Sequence, residues 1–210
     1  AAICGYFIAG KNPAIAISKA VYHKDIRECG SGNPGFTNFK RTFGNKWAWW
    51  VLVLDLSKAA VVVGLFAWLL SRQGVDFQLG AAYTGMFCML GHAFPFQFKF
   101  KGGKGVLAAL GVFLALCPIT ALTCLGVWVV LTFSTKYVSV GSIGACVALG
   151  VFAVIGYLKL PFPPDEINLG LMITCLLVAV FVIVKHKSNI KRLLNGTENG
   201  FGSKRKTPKA

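Results

Sequence analysis

The feature that most constrains this chain is a series of apolar runs, each close to the length that a helix needs to cross a membrane. The clearest run extends from Trp47 to Leu70, with Trp47, Trp49 and Trp50 at one end and Trp68 at the other. Tryptophan is enriched at both membrane interfaces, and about 20 apolar residues cover the hydrocarbon core. Hydrophobic residues make up 55% of the 210 residues, which is more than is usual for a soluble domain. The sequence therefore predicts an all-α integral membrane protein.

Further runs of the same kind bring the predicted segments to about seven transmembrane or half-membrane helices. They span 1–21, which "GKNP" interrupts at 10–13, and 79–98, 106–116, 118–134, 138–158 and 169–184. The stretch 106–134 is divided at Pro118, because it is too short for two full crossings and proline removes a helical hydrogen bond. We expect one membrane-embedded domain over 1–195 and a basic, disordered tail over 196–210.

The basic residues indicate which way the chain faces. Lys and Arg number 22 against 7 Asp and Glu, and 17 of the 22 lie in the segments 22–46, 99–105, 135–137 and 185–210. Because cytoplasmic loops carry an excess of Lys and Arg, these four segments are predicted to be cytoplasmic. The N-terminus is then outside and the C-terminus inside. Basic clusters can also hold acidic ligands, but we expect no nucleic-acid partner.

The seven cysteines include no C-x-x-C pair, and five of them lie within apolar runs: Cys88, Cys117, Cys124, Cys146 and Cys175. We interpret these five as buried small side chains, and as neither disulfides nor metal ligands. We expect neither a metal nor a cofactor.

The second cytoplasmic loop ends in a glycine-rich stretch with one lysine. Gly102, Gly103 and Gly105 free the backbone, Lys104 adds a charge, and a helix is predicted to begin at Val106. The amides and the positive dipole end of a helix N-terminus attract anions, so the pattern predicts an anion-binding site. It is not a Walker A loop, since neither Ser nor Thr follows the lysine.

The first cytoplasmic loop, "GSGNPGFTNFKR" at 30–41, has a composition that favours tight turns. Ser31, Asn33 and Asn38 provide polar groups, and Arg41 provides a guanidinium that can bind a phosphate in a bidentate manner. Taken alone, the loop is better explained as an ordinary turn rich in glycine and asparagine.

Two further candidates lie at the ends of predicted helices. His186 and Asn189 are one helical turn apart if the last helix continues past the membrane, and an unperturbed imidazole has a pKa near neutrality. Ser139 and Ser142 share a face at the start of the sixth segment, where their hydroxyls suit either phosphate binding or helix capping.

Three ionisable residues fall inside apolar runs, where an isolated charge is costly. Asp55 and Lys58 are three residues apart and are expected to form a structural ion pair. His92 precedes Phe94 and Pro95, and we favour a packed or hydrogen-bonded imidazole over a catalytic one.

Three motifs in this order resemble the acyl-phosphate:glycerol-3-phosphate acyltransferases, the PlsY family. They are "GSGNPGFTN..R", "GHAFPFQFKFKGGKGV" and "H..NI.RLLNGTE". The resemblance implies a bacterial inner-membrane enzyme with its active site at the cytoplasmic face. Such an enzyme transfers a fatty acyl group from acyl phosphate to the 1-hydroxyl of glycerol 3-phosphate, giving lysophosphatidic acid and inorganic phosphate. It also implies membrane lipid as a partner and functional coupling to the enzyme that makes acyl phosphate.

The resemblance also implies roles for individual residues. Ser31, Arg41, His186 and Asn189 match positions that support catalysis, and the glycine–lysine stretch 102–105 matches the glycerol 3-phosphate site. We add Asn33, Asn38 and Ser142 to the substrate-binding set.

Glu198 matches a position that looks structural. The chain departs from the family pattern at Lys11, in Gly10-Lys11-Asn12-Pro13, and at Phe36, where alanine is usual. From the sequence, the effect of Lys11 on the packing of the first helix and of Phe36 on the width of the first loop is undetermined.

The chemistry that this resemblance implies needs no protein nucleophile, because the substrate's hydroxyl attacks an activated anhydride. Its proton passes either to His186 or to the phosphate of the donor, and the sequence does not separate these routes. The competing function is a small transporter or channel for a phosphate-bearing solute. A transporter binds near the membrane midplane, whereas these motifs collect at one face.

Overall fold

The computed structural model of the protein describes residues 1–160, 165 and 167–201, and every regular element in these ranges is a helix. The α-helices in chain order are α1 (Ala2–Gly10), α2 (Pro13–Tyr22), α3 (Phe36–Phe43), α4 (Asn45–Ser71), α5 (Phe77–Ala93), α6 (Val106–Leu116), α7 (Pro118–Thr135), α8 (Val138–Tyr157), α9 (Leu169–Lys185) and α10 (Lys187–Leu194). Short 3-10 helices occupy Ile26–Glu28 and Phe96–Phe98. The prediction of an all-α protein is confirmed for this part of the chain.

Three helices are long and apolar enough to cross a membrane: α4, α7 and α8. Together α9 and α10 pass the same test, but they are bent by 54° where they meet. Among the described residues this gives three spans, or four with the bent pair, and the predicted count of about seven membrane segments stays a prediction. Large apolar side chains point outward from these helices, as Val61, Val130 and Val180 do with exposures of 64%, 66% and 60%.

Prolines and caps explain where the predicted segments break. The first apolar run divides into α1 and α2, because the Asn12 side chain accepts a hydrogen bond from the amide of Ile15 and Pro13 begins α2. The third segment, predicted to reach Phe98, ends at Ala93, two residues before Pro95. The division at Pro118 is confirmed, since α6 and α7 meet there.

Two short helices were not predicted. Helix α3 lies in the first loop and buries Phe39 and Asn38. Helix α10 follows the bend after α9 and buries Asn189. Both place polar or basic residues opposite a narrow buried face, so neither contains an apolar run. Helix α3 packs mainly on α4. Both α3 and α10 carry residues that border the cavity described below.

Small residues let the long helices approach closely. A side-chain carbon added at Gly91 of α5 would lie 2.0 Å from the carbonyl oxygen of Tyr6 on α1. One added at Gly141 of α8 would lie 2.8 Å from the carbonyl oxygen of Trp128 on α7. Such contacts are typical of helix pairs in membranes. The five cysteines of the apolar runs are buried, as predicted, and each is a free thiol.

The C-terminal residues 196–201 were assigned to the tail, but they pack against the bundle. The Glu198 side chain bonds to Ser139 at 3.1 Å, and the Phe201 ring lies 5.3 Å from that of Phe133. The segment that remains predicted as a disordered tail is 202–210, which lies outside the described residues, as does Glu166.

Candidate active site

A cavity of about 500 Å³ enters the helix bundle from the side where the predicted motifs converge. Nine of the predicted site residues border it: Ser31, Asn33, Asn38, Arg41, Lys104, Gly105, Ser142, His186 and Asn189. Gly102 borders a smaller polar cavity of about 220 Å³ beside it, and Gly103 borders neither cavity. The structure therefore brings together residues that are far apart in the sequence, such as Arg41 and Asn199, which are 158 positions apart.

The glycine–lysine loop packs more tightly than an open anion cradle. The amides of Gly102 and Gly103 donate to the carbonyl oxygens of Ala93 and His92, at 3.3 and 3.2 Å. A side-chain carbon added at Gly103 would lie 2.3 Å from Nε2 of His92. These two amides are thus engaged by backbone oxygens, so any anion bound here would contact Lys104 and the N-terminus of α6. The glycines instead let the loop rest on His92 and so position Lys104.

Lys104 is the cation that the loop presents to the cavity. Its Nζ donates a hydrogen bond to Oδ1 of Asn189. Burial, followed by the nearby cations Arg192, Arg41 and Lys185, lowers the pKa of Lys104 to about 8, and Glu198 acts in the opposite direction. A group that is desolvated among like charges favours an anionic ligand, because the ligand restores the charge balance.

Glu198 connects the two sides of the cavity. Its Oε1 accepts from Nδ2 of Asn189 at 2.7 Å and from Oγ of Ser139 at 3.1 Å, while Oε2 accepts from Nε of Arg192 at 2.6 Å. Arg192 was absent from our predicted site. The signal for it was its spacing, since it lies three residues after Asn189 and therefore on the same helix face.

Arg41 reaches the same region from α3. Its Nη2 donates to the carbonyl oxygens of Asn199 and Gly200, at 3.1 and 3.0 Å. The guanidinium thus holds the C-terminal segment at the mouth of the cavity. Phe36, the departure noted in the first loop, borders the cavity and packs its ring 5.6 Å from that of Trp49.

The sequence left open whether the last helix continues straight through His186, and the structure bends it there. The ring is 3% exposed, and its Nδ1 lies 2.7 Å from the carbonyl oxygen of Val182. A carbonyl oxygen only accepts, so Nδ1 carries the proton in this contact. The partner behind the ring is therefore a backbone carbonyl and not a carboxylate.

Two predicted binding residues use their polar groups inside the protein. In the Asn38 side chain, Oδ1 accepts a hydrogen bond from the backbone N–H of Ser31 at 2.9 Å, and Nδ2 donates to the carbonyl oxygen of Cys29 at 2.9 Å. The Ser142 hydroxyl donates to the carbonyl oxygen of Val138 at 2.9 Å and accepts from Nε1 of Trp128 at 3.3 Å. Both border the cavity, but their contacts make them supports of its wall.

The other end of the cavity is apolar and lies between α6, α7 and α8. On α8 the lining residues run from Ser142 to Leu149, and on α7 they run in the opposite direction from Trp128 to Ala121. Each stretch advances seven residues, which is about 10 Å along a helix. Because Trp128 bonds to Ser142, the two stretches end at the same depth. This geometry forms an apolar channel that extends inward from the polar end.

The predicted ion pair inside the membrane is confirmed. Nζ of Lys58 lies 2.8 Å from Oδ1 of Asp55, and Nδ1 of His92 lies 3.4 Å from the same oxygen. The buried, packed imidazole expected for His92 is confirmed as well, since it is 4% exposed.

A family model described as glycerol-3-phosphate acyltransferase matches residues 1–196. The chain belongs to the glycerol-3-phosphate acyltransferase family. Relatives of that name from Chromobacterium violaceum and Syntrophotalea carbinolica are 37% and 39% identical to it, over 96% and 95% of this chain and 94% and 95% of theirs.

Two crystal structures of PlsY (YgiH), an integral membrane glycerol 3-phosphate acyltransferase, have the same fold. The glycerol 3-phosphate form is 31% identical and superposes with a TM-score of 0.84, covering 96% of this chain and 94% of that one. The lysophosphatidic acid form is 30% identical with a TM-score of 0.80, covering 96% and 93%. The match to the acyltransferase family model ends at residue 196, so Glu198 and the carbonyl groups that bind Arg41 lie beyond it.

Proposed function

We propose that this protein transfers a fatty acyl group from acyl phosphate to the 1-hydroxyl of glycerol 3-phosphate. The products are 1-acylglycerol 3-phosphate, or lysophosphatidic acid, and inorganic phosphate. Family membership supports the acyl acceptor, because the related PlsY structures hold glycerol 3-phosphate and lysophosphatidic acid. The observation that carries the proposal is a single cavity with a cationic end and an apolar channel.

The cationic end suits two phosphate groups. Lys104, Arg41 and Arg192 border the cavity, and Lys185 borders the smaller one beside it. Among the described residues, the carboxylates that border this cavity are Glu198 and Asp55, and Asp55 is paired with Lys58, so positive charge is in excess. Both substrates bring phosphate, and each charge-assisted contact contributes roughly 1.5–3 kcal/mol. The apolar channel accommodates the acyl chain of the donor.

The reaction needs an attack at one carbon. The 1-hydroxyl oxygen of glycerol 3-phosphate forms a bond to the acyl carbonyl carbon, and the bond from that carbon to the phosphate oxygen breaks. Phosphate leaves with the electron pair and takes up the hydroxyl proton. His186 is the alternative base, but its ring is backed by a carbonyl oxygen, whereas triad histidines are backed by a carboxylate. We therefore assign the proton to the phosphate and assign His186 a role in holding the reacting groups.

We assign roles to the predicted residues on the same basis. Ser31, Arg41, His186 and Asn189 are the proposed catalytic group, and Lys104, Gly105 and Asn33 are the proposed substrate-binding group. Asn38, Ser142, Gly102 and Gly103 shape the wall and the loop that hold these residues.

The protein's surroundings follow from the same proposal. We place it in the bacterial inner membrane with the C-terminus and the active site on the cytoplasmic side, among membrane lipids. Coupling to the enzyme that makes acyl phosphate would supply its donor. The excess of Lys and Arg in the four predicted cytoplasmic segments supports this orientation.

A donor comparison tests the proposal. Purified protein is given glycerol 3-phosphate with acyl phosphate, acyl-CoA or acylated carrier protein in separate reactions. We expect acylated product from acyl phosphate alone. Product from a thioester, with none from acyl phosphate, would contradict the proposed donor while leaving the acceptor intact.

A further inference from the structure

A buried polar cluster lies between α4 and α5, and two of its members, Asp55 and His92, border the cavity. It consists of Asp55, Lys58 and His92, whose side chains are 2%, 11% and 4% exposed. Ionisable groups are costly inside a membrane protein, and they persist there when they compensate one another. Nζ of Lys58 and Nδ1 of His92 both approach Oδ1 of Asp55, at 2.8 and 3.4 Å, and they also lie 3.4 Å from each other.

One arm of this cluster reaches the glycine–lysine loop. The carbonyl oxygen of His92 accepts the amide of Gly103, and the His92 ring fills the space that a side chain on Gly103 would need. The position of Lys104 therefore depends on where the His92 ring lies. Asp55 and Lys58 lie against that ring from the other side, each with an atom 3.4 Å from Nδ1.

The other arm reaches the first loop. Nζ of Lys58 donates to the carbonyl oxygen of Lys11 at 3.0 Å, in the break between α1 and α2. The next residue, Asn12, is 1% exposed and donates from Nδ2 to the carbonyl oxygen of Pro34 at 3.0 Å. Pro34 lies between Asn33 and the start of α3, so this arm supports the loop that carries Ser31.

We propose that Asp55, Lys58 and His92 are positioning residues that hold the first loop and the glycine–lysine loop at a fixed separation. The inference rests on the proposed function for the identity of the ligands that the two loops bind. Its physical content is independent of that identity: removing the Asp55 charge releases both arms, and removing one partner releases one arm.

Hydrogen–deuterium exchange of the purified full-length protein tests this without any substrate. Asp55→Asn should speed exchange about tenfold in both loops, at the amides of Gly102, Gly103 and Ser31, since each release removes a contact to a charged group. His92→Gln should speed exchange in the glycine–lysine loop alone. Lys58→Met should speed it mainly in the first loop, because His92 keeps its contact with Asp55.

Thr84→Val is the matched control. Thr84 is fully buried on α5, the helix that carries His92, and its hydroxyl donates to the carbonyl oxygen of Gly80. The valine variant loses a buried hydrogen bond without touching either arm. It should lower the melting temperature and leave exchange in both loops unchanged.

Kinetics on the same variants provide the second readout. Asp55→Asn should raise the KM for glycerol 3-phosphate about tenfold, whereas the control should keep the wild-type KM. Wild-type protein that makes no acylated product would count against the proposed function, and loop exchange would still decide the positioning role. If His92→Gln and Lys58→Met both leave exchange unchanged in both loops, the inference is overturned. This outcome decides the question even if Asp55→Asn does not fold.

Discussion

The ammonium group of Lys104 lies among three other cations, so its protonation controls how strongly the site attracts phosphate. Its pKa is lowered to about 8, chiefly by burial and then by Arg192. A bound phosphate dianion favours the charged form, so binding raises this pKa and takes up a proton near pH 8. Affinity for glycerol 3-phosphate should then fall as pH rises above about 8, by up to about tenfold per pH unit.

The measurement is the KM for glycerol 3-phosphate as a function of pH, for the wild type and for Lys104→Arg. Arginine stays protonated throughout this range, so the variant should lose the rise in KM above pH 8. The same rise in both proteins would show that a different group titrates.

His186 separates the two routes for the hydroxyl proton. If the donor's phosphate takes the proton, His186→Gln should retain much of the turnover rate and a similar pH profile, because glutamine still provides a hydrogen-bonding group. If His186 is the general base, turnover should fall by about 10² to 10⁴ and the neutral-pH limb should disappear. We expect the first result, from kcat measured across pH with the fold checked by thermal unfolding.

Most individual site residues were predictable, because charged and glycine-rich motifs are conspicuous between apolar runs. Their detailed use was not. Asn38 and Gly103 were predicted to bind the ligand, and the structure shows in addition that polar groups of both bond to neighbouring backbone. Such contacts depend on which carbonyl oxygens come near in the folded state, and composition does not encode that.

At the scale of elements, α7 and α8 set the length of the apolar channel. Leu149 lies at its inner end, so Leu149→Trp should shorten the channel and shift the preference toward shorter acyl chains. Each buried methylene contributes about 0.8 kcal/mol, which corresponds to roughly fourfold in kcat/KM. The measurement is kcat/KM for acyl phosphates of increasing chain length.

Val147→Trp serves as the control, because Val147 is 53% exposed on the outer face of α8. It should keep the wild-type chain-length profile. An unchanged profile for Leu149→Trp as well would place the acyl chain elsewhere.

Helices built from long apolar runs were predicted closely, since the length of a run reports directly on burial in lipid. Helices α3 and α10 were missed for the converse reason. Each helix is only eight residues long and includes basic side chains, so its single buried face produces a weak hydrophobic pattern in the sequence. The C-terminal segment 196–201 was missed because its order comes from Arg41, Glu198 and Phe201 contacting distant parts of the chain.

At the scale of the whole molecule, the fold brings four sequence-distant segments to one end of a helix bundle and leaves an apolar channel beneath them. The sequence predicted that convergence from the distribution of Lys and Arg. It did not predict the buried cluster's links to both loops, because those links pass through the carbonyl oxygens of Lys11 and His92.

The most direct test of the central claim is acyl transfer by the purified protein in detergent, where no membrane separates two compartments and transport cannot be scored as activity. Acyl phosphate and glycerol 3-phosphate are supplied together, and acylated product and inorganic phosphate are both quantified. We predict that the two appear in a 1:1 ratio and that both depend on glycerol 3-phosphate. Folded protein that forms no acylated glycerol 3-phosphate would contradict the account.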